Sequence, residues 1–191
     1  MKIILASNSP RRRELLADLG YDFEVKVLAG IDESYPPTLP VADIAAYISR
    51  KKADAYRPTL EGDELVITAD TIVVLGNEVM GKPHDAADAR RMLHSLSGKE
   101  HHVITGVTVT TRDRQSTFSV TSAVEFATLD PDEIDYYVAR YSPLDKAGAY
   151  GIQEWIGCMG VKRIEGSFYN VMGLPLHRLY TVLKEYGVRP R

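Results

Sequence analysis

The run Leu65-Val66-Ile67-Thr68-Ala69-Asp70-Thr71-Ile72-Val73-Val74-Leu75 constrains this chain more than any other stretch. It is nearly all apolar and rich in β-branched residues, so it reads as a strand buried on both faces. One charge, Asp70, sits in its middle. An unpaired carboxylate there would cost several kcal/mol or neutralise itself through a raised pKa. Asp70 therefore requires a cation, a metal or an opening to solvent. The plain structural alternative is an ion pair with Lys52 or Lys82. Perturbed carboxylates gather at functional sites, which favours catalysis or metal binding.

The surroundings of that strand define the class. Ile3 to Ala6 predicts a buried first strand, followed by a helix with Ser9 as N-cap, Pro10 at its first position and Gly20 past its end. Phe23 to Val27 predicts a second strand, with Phe23, Val25 and Val27 on one face, and Gly30 to Pro40 a loop. Val41, Ile44, Ala45, Ile48 and Ala55 recur at helical spacing up to Pro58. Gly76-Asn77 turns the long strand into a short partner over Glu78 to Met80. A helix capped by Asp85 and closed by Gly98 follows. Next come a hairpin over Val103 to Thr111 and Ser116 to Phe126, a helix opened by Asp130-Pro131, a Gly-rich region from Gly148 to Gly173, and a last helix from about Pro175 to Tyr186. Strands and helices mix throughout, which predicts an α/β fold with a mixed sheet and both hairpin and crossover connections. The 191 residues fit one domain over 1–191, with two lobes as the outside alternative.

Several cations stand where structure alone does not want them. Arg11-Arg12-Arg13 occupy the first turn of the first helix, the end that the macrodipole makes partly positive. Helical angles put Arg12 over Leu15, Leu16 and Leu19, towards the protein body. Free N–H groups and arginines after a strand-turn suit a phosphate, the alternative being a solvated charge run. Lys52 falls inside the apolar stripe of its helix, where it either snorkels out or meets an anion. In Gly81-Lys82-Pro83 the proline holds the lysine's backbone away from helix. Glu33, in a loop beside Asp32, is a second candidate carboxylate for a metal, with plain solvation as its alternative. The glycines of Asp145-Lys146-Ala147-Gly148-Ala149-Tyr150-Gly151-Ile152-Gln153 let backbone approach a ligand. Gln153 offers an acceptor and two donors that match the N3–H and carbonyl of uracil or thymine.

Other classes are excluded or disfavoured. The net charge of −3 lacks the basic excess of a general nucleic-acid binder. There is no GxxxxGK[ST] loop and no GxGxxG. His101-His102 has no companion at zinc spacing, and strand neighbours face opposite ways, so both read as structural. The single Cys158 fits a reducing compartment and reads as a small buried apolar residue. No apolar run is long enough for a signal peptide or a membrane span, so the expected location is the cytoplasm, with no membrane partner.

Taken together, these segments resemble the Maf family of nucleoside triphosphate pyrophosphatases. The resemblance is carried by Ala6-Ser7-Asn8-Ser9-Pro10-Arg11-Arg12, Ala69-Asp70-Thr71-Ile72-Val73, Gly81-Lys82-Pro83, Ser97-Gly98-Lys99, Asp145 to Gln153, and Tyr169-Asn170-Val171-Met172-Gly173-Leu174-Pro175. The segment ending in Gln153 is similar to the branch acting on dTTP and UTP. The resemblance implies an α/β Maf/ITPase-like fold with a long mixed sheet and a central nucleotide-binding cleft, a homodimer, and a divalent cation, Mg²⁺ first and Mn²⁺ second. It implies Asp70 as proton acceptor, Arg11, Thr71 and Gln153 as determinants of substrate choice, and Ser7, Arg12, Glu33, Lys52 and Lys82 as further pocket positions. One departure is Glu154, where the family pattern leads one to expect glycine; a negative charge beside a triphosphate would weaken binding unless it pointed to solvent.

The expected reaction is water attack at the α-phosphate, with Arg12, Lys52 and Lys82 neutralising the triphosphate. Asp70 either activates the water or ligates the metal, with Glu33 as a further ligand. Two alternatives stay open: a house-cleaning pyrophosphatase for modified nucleotides such as 5-methyl-UTP or pseudo-UTP, and a non-enzymatic nucleotide sensor acting in cell division.

Overall fold

The long apolar run is strand β3 (Glu64–Leu75) in the computed structural model, which describes residues 1–190. It is buried along its length except at Asp70, Thr71 and Leu75, which are half-buried. Around it the sheet adds β1 (Lys2–Leu5), β2 (Phe23–Val25), β4 (Glu78–Met80), β5 (Glu100–Thr110), β6 (Gln115–Phe126) and β7 (Val161–Glu165). The strand order is β2-β1-β3-β5-β6-β7, with β4 also paired to β3. β1 runs parallel to both β2 and β3, whereas β4 on β3 and β7 on β6 are antiparallel. The sheet is therefore mixed, as predicted. The helices are α1 (Pro10–Asp18), α2 (Val41–Tyr56), α3 (Ala86–Leu96), α4 (Pro131–Tyr141), α5 (Trp155–Gly160), α6 (Phe168–Met172) and α7 (Leu176–Glu185).

The residues group into two compact units. The first comprises Met1–Asp70, Thr105–Val120 and the chain from Gly173 on; the second comprises Thr71–Ile104 and Thr121–Met172. In the first, Ile4, Tyr56, Leu60 and Val66 form an apolar cluster between β1, β3 and the end of α2. The second is built around Met92, Leu93, Leu96, Phe126, Ile134 and Tyr137. Burying each such side chain contributes on the order of 1.5–3 kcal/mol.

Local chemistry explains most of the elements. Ser9 caps α1 by accepting the Arg12 N–H, with Pro10 in the first turn. Asp85 caps α3 through the Asp88 N–H at 2.8 Å, and Asp130 with Glu133 forms a capping box on α4.

Three expectations need correction. The second strand ends at Val25, and Val25 and Val27 are exposed, because β2 is an edge strand and covers nothing on its outer side. The buried face of α2 is Ile44, Ala45, Ile48, Ser49, Ala53 and Tyr56; Ala55, at the margin of that arc, is exposed. The Gly-rich region, to which the sequence assigns no element, holds α5, β7 and α6. Cys158 is exposed rather than buried, because Ile156 and Gly160 take the inner side of α5 and the residue between them points away.

Candidate active site

Parallel strands with an adjacent reversal of order create a place for ligands. From β1 the chain goes to β2 on one side and then to β3 on the other, so the carboxyl end of β1 lies at a switch point. The β1–β3 register ends at Leu5 opposite Ile67, and the β3–β4 register begins only at Val73. Asp70 and Thr71 fall in that interval. Both are half-buried, between the buried residues Ala69 and Ile72.

Within the first unit, Lys52 of α2 joins Asp70 of β3 to Glu33 of the loop before α2. Lys52 Nζ lies 2.9 Å from Asp70 Oδ1 and 3.1 Å from Glu33 Oε2. The Lys52 and Asp70 side chains are only 14% and 15% exposed, whereas Glu33 is 58% exposed, so the ion pair reaches from the sheet to solvent. Lys52 stands near the middle of the buried arc of α2, and it meets an anion rather than snorkelling. The helix is fixed beside it: Thr68 donates its hydroxyl to Ser49 O at 2.7 Å, and the Ser49 and Thr108 hydroxyls lie 3.0 Å apart. At Gly106 of β5, a Cβ would lie 2.2 Å from the Ala45 backbone, so only glycine lets α2 come this close.

Arg12 points inward, as its helical angle predicts. Its Nε donates to Gly173 O and its Nη1 to Ala69 O, both at 2.9 Å, which fixes the guanidinium plane. The Ala69 carbonyl lies in the interval between the β1 and β4 registers, and the arginine caps it. Burial lowers the Arg12 pKa from its ordinary value, opposed by Asp70 and Glu33 and assisted by Arg11. The group remains a cation throughout the working range. Ser7, buried past the end of β1, accepts the Ser9 N–H at 3.2 Å, and Arg11 is half-buried in the first turn of α1.

The loop holding Glu33 is pinned by its neighbour. Asp32 accepts from Lys51 Nζ at 2.6 Å and from the Ser34 amide at 2.9 Å. Lys51 and Ser34 hold the Asp32 carboxyl well below the usual carboxylate range. Consecutive lysines of α2 thus bind consecutive acids of the loop, a pairing that the sequence did not reveal.

Thr71, Lys82 and Gln153 belong to the second unit. Thr71 follows Asp70 in β3, and strand alternation sets it on the opposite face. Lys82 and Gln153 are exposed. Their segments meet: the Gly148 N–H donates to Gly81 O at 3.1 Å, joining the residue before Lys82 to the loop before Gln153. Gly148 has φ +66° and packs on Val73, where a Cβ would lie 2.9 Å away, so the loop depends on glycine there. Glu154 is turned inward onto Lys146 and Tyr137 and neither faces solvent as a free charge nor stands alone. His101 is buried with Nε2 2.7 Å from the Tyr150 hydroxyl, while His102 is exposed, which matches the structural reading of both.

This is an α/β protein with an acid–cation cluster at a switch point of a mixed sheet, and the fold has solved counterparts. The Ham1 protein of Staphylococcus aureus superposes with a TM-score of 0.54 at 16% identity, covering 98% of this chain and 100% of that one. A HAM1 protein from Coxiella burnetii gives 0.51 at 18% identity, covering 97% and 99%. The family model for Maf-like protein matches residues 2–186, and the chain belongs to that family. It is 61% identical over 184 residues to the dTTP/UTP pyrophosphatase of Phocaeicola vulgatus, covering 96% of this chain and 95% of the relative. The proteins of the same name from Bacteroides thetaiotaomicron and Flavobacterium psychrophilum are 58% and 46% identical, over 96% and 95% of this chain and 95% and 93% of the relatives.

Proposed function

We propose that this chain hydrolyses nucleoside triphosphates to the monophosphate and pyrophosphate, with UTP and dTTP as its substrates. The observation that carries the proposal is the Asp70–Lys52–Glu33 cluster beside the inward-facing Arg12, at the carboxyl end of β1. The identity to relatives named for this activity, together with Gln153 at the end of the Asp145 to Gln153 segment, supports the choice of pyrimidines.

Asp70 is the proton acceptor. A water oxygen forms the bond to the α-phosphorus as its proton passes to the Asp70 carboxylate. The α–β bridging P–O bond then breaks, and pyrophosphate leaves with the electron pair. Lys52 stands against the Asp70 carboxylate and shifts to phosphate oxygens as substrate enters. Arg12 and Lys82 offset the remaining triphosphate charge, and charge stabilisation of this kind supplies most of the rate. Ser7 contributes a hydroxyl to the phosphates. Arg11, Thr71 and Gln153 select the nucleotide.

A divalent cation, Mg²⁺ first and Mn²⁺ second, fits this donor set. Asp70 and Glu33 both reach one point, the Lys52 ammonium, with hard oxygen atoms. One or two carboxylates plus substrate phosphates is the usual holding of Mg²⁺. Bound there, the ion would polarise phosphate oxygens as a Lewis acid. The enzyme is further proposed to act as one domain over 1–191, as a cytoplasmic homodimer with no nucleic-acid or membrane partner. The single cysteine supports a reducing compartment, and the net charge of −3 supports the lack of a nucleic-acid partner; no helix among the described residues is long and apolar enough to cross a membrane.

Pyrophosphate release with Mg²⁺ across a nucleotide panel tests the assignment. UTP and dTTP are expected to lead the panel, with Asp70→Asn slowing turnover by about 10²–10⁴-fold in folded protein. Full turnover in folded Asp70→Asn would remove Asp70 from the mechanism.

A further inference from the structure

The turn Gly151-Ile152-Gln153-Glu154 carries a charge cluster that the proposed chemistry leaves unused. Lys146, buried, places Nζ 2.8 Å from Asp145 Oδ1 and 3.1 Å from Glu154 Oε1. Glu154 Oε2 accepts the hydroxyl of Tyr137, and the same hydroxyl oxygen accepts the Gly151 N–H at 3.0 Å. Burial, and then the bond to Glu154, push the Tyr137 hydroxyl well above its ordinary pKa, so it stays a proton donor. The Glu154 backbone is tied as well: its N–H donates to Gly151 O at 3.0 Å, and its carbonyl accepts from Gly157 N at 2.9 Å. The carboxylate lies directly under Gly151, where a Cβ would come within 2.8 Å of it.

Gln153 is the exposed residue inside this frame. Its following neighbour is bonded through side chain, amide and carbonyl, and Gly151, two positions before it, is held by the same tyrosine. A glycine at 154 would offer none of the side-chain contacts and would free the backbone. Ordering a turn when ligand arrives costs conformational entropy, and a turn already ordered avoids that cost. The Glu154 carboxylate is held by Lys146 and Tyr137 rather than left as a free charge.

We propose that Glu154, through Lys146 and Tyr137, is a positioning residue that presets Gln153 for the imide edge of uracil or thymine and so sets pyrimidine discrimination without touching substrate. This rests on the assignment of Gln153 to the base.

Steady-state kinetics with UTP and CTP separate the two ideas, using Gln153→Ala, Glu154→Gly and Glu154→Gln. Gln153→Ala is expected to cut the UTP-over-CTP ratio of kcat/KM by about tenfold or more, as loss of a hydrogen-bonding group that reads a base edge does. Glu154→Gly is expected to raise KM for UTP about tenfold and lower the same ratio, with kcat within about twofold, since uniform binding rather than chemistry is lost. Glu154→Gln keeps the acceptor for Tyr137 and should fall between wild type and Glu154→Gly. An unchanged ratio in Gln153→Ala overturns the assignment of Gln153, and the role of Glu154 with it. A lowered ratio in Gln153→Ala with a wild-type ratio in folded Glu154→Gly overturns Glu154 alone. Should Glu154→Gly not fold, Tyr137→Phe removes the bridge to Gly151 and must show the same rise in KM without loss of kcat. A wild-type KM and ratio in folded Tyr137→Phe likewise reject the positioning role.

Discussion

At the scale of single residues, Lys52 does two jobs that pull on each other. In the free protein it neutralises Asp70 and Glu33, and in the proposed reaction it turns to phosphate. The ion pair is mostly out of water, so removing one partner exposes the other to an unfavourable environment rather than merely losing a contact. Lys52→Met is therefore expected to cost about 1–3 kcal/mol of stability at neutral pH, the penalty for a buried group left unsatisfied. In the Lys52→Met/Asp70→Asn double mutant most of that loss should return, giving a coupling energy of about 1–3 kcal/mol in urea denaturation. Strict additivity would show that the two side chains do not depend on each other. The pairing was half legible: a lone acid in an apolar strand demanded a cation, and Lys52 and Lys82 were the candidates named. Glu33 is harder to place, because the Gly30 to Pro40 loop carries no periodicity, and the Lys51–Asp32 bond that aims it joins residues distant in sequence.

At the scale of elements, periodicity and punctuation revealed what local chemistry decides. Strand β3, the caps at Ser9, Asp85 and Asp130, and the turn at Gly76-Asn77 were all readable. The region after Gly148 was not, because α5, β7 and α6 are each about one turn or a few residues long and are held by tertiary packing rather than by pattern. Helical spacing places both Lys52 and Ala55 on the inward face of α2, yet Ala55 is exposed, since a stripe drawn from spacing does not say where the sheet beneath it ends. What sets the height of α2 is a residue on another element, Gly106, whose missing side chain the Ala45 backbone fills. Gly106→Ala is expected to destabilise the protein by about 3 kcal/mol or more, because the obstacle is main chain and cannot rotate aside. It should also lower kcat/KM, since α2 carries Lys52. Thermal melting and pyrophosphate release on the same preparation check both, and a melting temperature within a degree of wild type would show that α2 shifts freely.

At the scale of the whole molecule, stability should depend on pH through a buried histidine. His101 is fully buried, and burial pushes its pKa down from 6.5 to about 4. The unfolded chain therefore binds the proton first as pH falls. The stability conferred by the neutral ring is fully present above about pH 6.5 and is lost progressively down to about pH 4, by up to roughly 3 kcal/mol. Urea midpoints at pH 7 and pH 4.5 measure it. In His101→Gln the difference between the two pH values should shrink, and an undiminished difference would assign the acid sensitivity to carboxylates instead. The second unit offers a different opportunity through Cys158. It is the only cysteine in the chain, it is exposed, and its N–H is bonded to the Glu154 carbonyl at 3.4 Å. A thiol-reactive dye or spin label attaches there at one defined place without any mutation. Its emission or line shape then shows whether that turn keeps its fixed geometry as nucleotide is mixed in, as a preset turn requires.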